Sequence, residues 1–369
     1  MKTARGLGQG SGGGAGKGGF MKQPVLGVVS SVPVIALSLV FIAIFALPVF
    51  TTWVADGMIC FIPMVIVVGV TWRAKHPALA GRRSQPAKGI LFLLLALTTG
   101  AVVALVHFVA VGGAVSPPAP MLSMCLITTV PVAFWFTIIW GGWPFTALVK
   151  NPVAAGFSMW VASYVVNYLL FRLLFNYGFM RDAPAYAPAL DPHGLFNAWN
   201  VLVVYITATS AMFLMLGFEL WPLAKRPALM QQPLLGAIWT ALILAIGAVA
   251  LLIGEGLFRM DPAVFMVRVP IPFIFGTIIV MNMMQNSLFA RFTQPLKGLL
   301  NVAAAAVIGV GLARLFGALA PAISGRVESG PPGYIFEIWL ASALLAVTFP
   351  FLIIFADLFQ FWPLRSTKE

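Results

Sequence analysis

Charge is scarce in this chain. Asp, Glu, Lys and Arg together make up 9% of its 369 residues, against about 25% in soluble globular proteins. Acids are the scarcer kind, 10 against 22 bases, for a formal net charge of +12. Only three histidines and two cysteines occur. Cys60 and Cys125 both fall inside apolar runs and read as buried free thiols, so no disulfide scaffold is expected. His76, His107 and His193 are far apart, and none has a second ligand at helical spacing, so no metal motif is present. No nucleophile elbow, phosphate loop or paired-carboxylate motif is visible. Residues 6–19 are Gly-rich and superficially resemble a phosphate loop, but no strand precedes them and Lys17 is followed by Gly18. The expectation is therefore no catalytic residue, no cofactor and no metal, and an enzyme is disfavoured.

What the chain has instead is apolar sequence. It is 61% hydrophobic with a mean hydropathy of +0.99, in runs of the roughly 20 residues that span a bilayer. Ten membrane helices are expected, near 26–52, 57–74, 88–112, 120–142, 153–179, 195–221, 234–258, 264–290, 296–320 and 334–361. Residues 1–20 read as a flexible Gly-rich tail and 21–369 as a single transmembrane domain, with Met21 a candidate start. The cations lie between the apolar runs, which points to lipid headgroups and topology rather than to nucleic acid. The tail and alternate loops hold sixteen Lys and Arg; the opposite loops hold four, Arg181, Arg259, Arg268 and Arg326. That asymmetry places both termini in the cytoplasm of a plasma (inner) membrane protein, in agreement with an even helix count.

A short pattern recurs along the chain. Gln-Pro-x-x-Gly occurs at Gln23–Gly27, Gln85–Gly89, Gln232–Gly236 and Gln294–Gly298, using half of the eight glutamines. A degenerate copy begins at Asn151-Pro152, with Gly156 one place late. Each copy starts an outward helix, where Pro is tolerated because its missing N–H has no partner there. Gln or Asn can satisfy free backbone amides or meet headgroups, and Gly admits a neighbouring helix. The returning helices end at Trp72, Trp143-Pro144, Trp221-Pro222 and Trp362-Pro363, read as interfacial Trp with a Pro stop. The expected fold is thus an all-α polytopic membrane protein of five parallel-repeated helical hairpins, near 21–84, 85–150, 151–231, 232–293 and 294–369.

Polar residues inside these runs are the candidates for function. Asp357 and Glu219 near the cytoplasmic ends of inward helices suit a proton- or cation-coupling site; an interfacial carboxylate paired with Lys225, Arg226 or Arg291 is the rival reading. Gln360 lies beside Asp357, and Asn282, Gln285 and Asn286 are spaced to share one helical face. Thr129, Thr207 and Thr348 each precede a Trp by fourteen residues; Pro131 and Pro350 lie beside two of them, and Pro63, Pro270 and Pro272 interrupt other inward helices. Such kinks suggest a central cavity, with packing bends as the alternative. Asn167, in an outward helix, is a further cavity candidate. His107, Arg172, Glu255, Arg314 and Glu337 cluster near the outer interface, as a charge-filtering vestibule or as snorkelling residues and ion pairs.

The composition supports a secondary transporter, permease or channel for a small solute. The alternatives are a non-catalytic structural or assembly subunit of a membrane complex and, third, a membrane-embedded lipid-modifying enzyme. The expected partners are the bilayer, a small solute, and either further copies of the chain or other membrane subunits.

Overall fold

The computed structural model describes residues 21–365 except Pro332. The Gly-rich tail, and with it Lys2, Arg5 and Lys17, lies outside the described residues, as does Lys368. Among the described residues, ten helices are long and apolar enough to cross a membrane. They are α1 Val25–Ala43, α2 Leu47–Thr71, α3 Ala87–Ala110, α4 Pro120–Ile139, α5 Pro152–Leu174, α6 Ala198–Gly217, α7 Leu234–Leu257, α8 Pro262–Met283, α9 Leu296–Ser324 and α10 Ile335–Leu358. The chain is a multi-pass integral membrane protein.

One boundary differs in kind from the sequence reading. The first span ends at Ala43 rather than 52, and the second begins at Leu47 rather than 57. The turn at 44–46 is as apolar as the helices around it, so hydropathy runs through it without a break. Pro48 sits in the first turn of α2, where it costs no backbone bond, instead of breaking the end of α1.

The ten helices sort into two layers. In the even helices 61% to 72% of residues are buried; in the odd helices 17% to 39% are. The even helices contact one another in a closed circuit: α2 with α4, α4 with α6, α6 with α8, α8 with α10, and α10 with α2. Each odd helix lies outside this inner ring, against two of its members: α1 on α10 and α8, α3 on α2 and α10, α5 on α4 and α2, α7 on α6 and α4, α9 on α8 and α6. The outer faces carry exposed Val and Leu, such as Leu37, Leu105, Leu169, Leu252 and Val307, as a lipid-facing surface requires.

The Gln-Pro-x-x-Gly pattern ties the layers together at one end. Gln Oε1 accepts the Gly N–H one turn on, at 3.2 Å for Gln23, 3.1 Å for Gln85, 2.9 Å for Gln232 and 3.1 Å for Gln294. The Nε2 of three of them donates to the last carbonyls of an inner helix: Gln23 to Met283 at 2.9 Å, Gln85 to Leu358 at 2.6 Å, Gln232 to Ile139 at 3.0 Å. One side chain thus serves two helix ends that have no intrahelical partners. The Gly follows from the same contact, because a Cβ there would strike the neighbouring inner helix end. At the Asn151 copy the direction reverses. Asn151 Oδ1 caps Val153 and Ala154, and Trp72 Nε1 donates to the Pro152 carbonyl at 2.8 Å.

The inner helices all finish alike. Two successive left-handed residues follow each: Arg73-Ala74, Gly141-Gly142, Glu219-Leu220, Gln285-Asn286 and Gln360-Phe361. The second N–H of the pair reaches back to a helix carbonyl, as Ala74 does to Val68 and Phe361 to Phe355. Non-glycine residues in this region cost roughly 1–2 kcal/mol each, so the closing bonds must offset that strain. This register corrects the placing of Trp72. It stands immediately before its pair, level with Trp140, Phe218, Met284 and Phe359, whereas Trp143, Trp221 and Trp362 come after theirs. Trp72 is buried beneath α5 rather than lying in an interfacial belt; Trp362 is exposed.

Gln85→Leu and Gln232→Leu each remove two such bonds and are expected to destabilise the protein by about 1–3 kcal/mol. Gln294→Leu, whose Nε2 has no partner, is expected to cost less. Thermal midpoints in detergent read the order directly; equal midpoints for all three variants would contradict the clamp.

Candidate functional site

Counting three residues back from each left-handed pair leads to Val70, Ile138, Leu216, Asn282 and Asp357, one from each inner helix. Three are aliphatic and two are polar, and the polar two meet. Asn282 Nδ2 lies 3.5 Å from Asp357 Oδ2, a long hydrogen bond between α8 and α10. From the third side α2 presents Gly69; a Cβ there would lie 2.9 Å from Asp357 Oδ2. The half-buried carboxylate thus lies where α2, α8 and α10 converge. The widened turn that ends α8 and α10, with bonds to the fifth residue back, also ends α2 and α4 and so belongs to the common finish of the inner helices. Glu219–Lys297, Asp191–His193 and Arg326–Glu328 form ion pairs.

Glu219 is accounted for differently. It is the first left-handed residue after α6 and pairs with Lys297 of α9, not with Lys225, Arg226 or Arg291. Gln360, Gln285 and Asn286 are likewise members of left-handed pairs. Because α8 ends at Met283, Asn282, Gln285 and Asn286 do not share a helical face. Asn286 is buried, and its Oδ1 has no partner.

The mid-membrane residues bind outer helices to inner ones. Asn167 of α5 donates to the Cys125 carbonyl at 2.7 Å and to Thr129 Oγ1 at 2.9 Å, both on α4. Thr348 of α10 meets Ser38 of α1 at 2.8 Å. Tyr164 of α5 donates to the Cys60 carbonyl of α2 at 2.7 Å. Thr207 bonds only to the Val203 carbonyl on its own helix. These bonds run radially, between layers. Two concavities lie off the axis: a void of about 10 Å³ between α6, α8 and α9, and an open groove on the lipid-facing side of α3. Pro63, Pro131 and Pro350 lie at one level of the ring, ten residues before the left-handed pair, and Met64, Leu344 and Val347 of the ring helices are fully buried.

At the opposite end the expected charged layer is dispersed. Arg172 and Arg314 are exposed on outer helices, and neither forms an ion pair with Glu255. His107 is buried, bonded to the Val103 carbonyl at 3.1 Å and packed on Tyr164. Glu337 folds back onto Ser329 Oγ and the Gly330 N–H. A residue outside the sequence candidates is Asp56 of α2, buried and accepting from Ser123 Oγ of α4 at 2.8 Å. It escaped notice because the hidden turn at 44–46 made 53–56 read as loop. Asp261 caps α8 and accepts from Tyr334 Oη at 2.8 Å, joining α8 to the start of α10.

No protein-family model matches the chain, and neither a curated protein nor a solved structure matches it.

The Asp261–Tyr334 bond carries a pH prediction. Burial, then the bond to Asp261, pushes the Tyr334 phenol from 10.0 up to about 12. The protonated donor is favoured in the folded state, so the bond contributes fully below pH 10.0 and is lost towards pH 12. The midpoint gap between wild type and Tyr334→Phe should be constant from neutral pH to about 10 and close above it. A gap that closes below pH 9, by rough bound, would contradict this assignment.

Proposed function

We propose that the chain is a proton-coupled secondary transporter for a small solute, in a closed state, with Asp357 as its proton-carrying group. The observation that carries this reading is the carboxylate of Asp357. It touches an amide and a glycine and sits, half-buried, where three inner helices converge. An ionised carboxylate at membrane depth is costly, by a few kcal/mol on insertion scales, and binding a proton removes that cost. Asp56 supplies a second carboxylate on the inner ring, near its other end, where it accepts from Ser123. The two are placed to exchange protons with opposite sides.

The same proposal extends to the architecture. The five hairpins are parallel repeats about an axis along the membrane normal, with both termini cytoplasmic in a plasma (inner) membrane. The common Gln clamp, the common left-handed ends and the sixteen-to-four cation asymmetry support it. Transport then proceeds by displacement of inner-ring members against the outer layer, which opens the axis. A second reading, a non-catalytic subunit of a membrane complex, draws on the exposed apolar faces of the outer helices, which suit a protein partner as well as lipid.

In proteoliposomes carrying a pH-sensitive dye, a panel of small solutes is expected to contain one that drives proton flux through the wild type. Asp357→Asn is expected to abolish that flux with insertion and folding retained. Flux undiminished in Asp357→Asn would refute the role of Asp357. Absence of solute-driven flux, together with stoichiometric co-purification of other membrane chains, would establish the subunit reading instead.

A further inference from the structure

The seam between α6 and α9 differs from its four counterparts. At the other Gln-Pro starts, Nε2 of Gln23, Gln85 and Gln232 finds an inner-helix carbonyl, and Trp72 serves the Asn151 copy. Gln294 Nε2 is buried with no partner. Two turns further along α9, Asn301 is 2% exposed, and both its Nδ2 and its Oδ1 are unpartnered. Asn301 lines the void of about 10 Å³, together with Phe213 and Gly217 of α6 and Thr277 and Met281 of α8.

An amide with neither donor nor acceptor satisfied is costly to bury, and native structures rarely leave it uncompensated. Thr277 does not relieve it directly, since its hydroxyl donates to the Phe273 carbonyl at 2.7 Å. Its remaining lone pairs can still accept. The lining thus offers one N–H donor and two oxygen acceptors in a space the size of a single probe sphere, the smallest that holds water.

We propose that this void is a binding site for one internal water molecule, held by Asn301 and Thr277 at the junction of α6, α8 and α9. The water accepts from Asn301 Nδ2 and donates to Asn301 Oδ1 and Thr277 Oγ1. A metal cation fits poorly. No carboxylate lines the void, and the nearby Glu219 is engaged by Lys297. The water joins α9 to α8 two turns along from Gln294, on the seam whose glutamine clamp is unmade. The proposal is independent of how Asp357 is used.

The test is a structure of the full chain in a lipid nanodisc, at a resolution that shows ordered waters, for wild type and Asn301→Leu. Density bonded to both Asn301 amide atoms in wild type, and lost in Asn301→Leu, is the expected result. A wild-type void without density, or an Asn301 amide paired directly with protein, would overturn the site. Radiolytic footprinting gives a second readout, since bound water activates locally: Met281 oxidation is expected to fall several-fold in Asn301→Leu, and equal oxidation counts against the water. Should Asn301→Leu fail to fold, Asn301→Ser keeps a hydroxyl at the site; density is expected to persist there, and its absence overturns the proposal.

Discussion

A helix that ends at the edge of a bilayer leaves carbonyls that water cannot reach, and this constraint shapes the whole molecule. Five inner helices end at the same side. Each solves the problem with a left-handed pair that folds the chain back on its own last turn. At three of those ends the carbonyl left over is taken by a glutamine from an outer helix. Because that glutamine also caps its own helix, one residue fixes the start of the outer helix, the end of the inner one and the angle between them. The proline before the helix and the glycine within it are consequences of the same contact.

Packing explains the rest of the layering. Lipid tails are as apolar as Leu, so no hydrophobic force drives helices together within a membrane. What separates inner from outer here is polar bonding and close fit. Ser38 with Thr348, Asn167 with Thr129, and Tyr164 with the Cys60 carbonyl tie outer helices to inner ones at mid-membrane. Each interhelical bond contributes on the order of 1 kcal/mol or less. Their number and radial direction, rather than individual strength, hold the two layers in register. The axial contact of Asp357 with Asn282 and Gly69 stands apart because it joins ring members to each other.

Much of this was legible in the sequence, and the gaps have physical reasons. Proline marks helix starts, so Gln23, Gln85, Asn151, Gln232 and Gln294 could be placed without coordinates. Hydropathy counts spans but does not rank them: outer and inner helices are about equally apolar, because lipid and protein interior make the same demand. The α1–α2 turn was invisible for that reason, and Asp56 was lost with it. Trp72 was misaligned because Trp serves equally as an interfacial anchor and as a buried donor. Left-handed pairs built from Arg, Ala, Glu and Gln leave no glycine signature, so Gln285, Asn286 and Gln360 read as helical polar residues. Asp357 was found because a carboxylate inside an apolar run is conspicuous; that Asn282 and Gly69 would meet it required the ring.

The ring's closure, α10 returning to α2 across almost the whole chain, is the claim on which the rest stands. It is tested most directly by intramolecular cross-linking of Gly69→Cys with Asp357→Cys in a Cys60→Ser, Cys125→Ser background. A Cβ at position 69 lies 3.4 Å from that of Asp357, close to the separation a disulfide requires, roughly 3.5–4.5 Å. The account predicts rapid oxidation to a disulfide within a single chain. Persistent free thiols in folded protein, or disulfides formed only between chains, would contradict it.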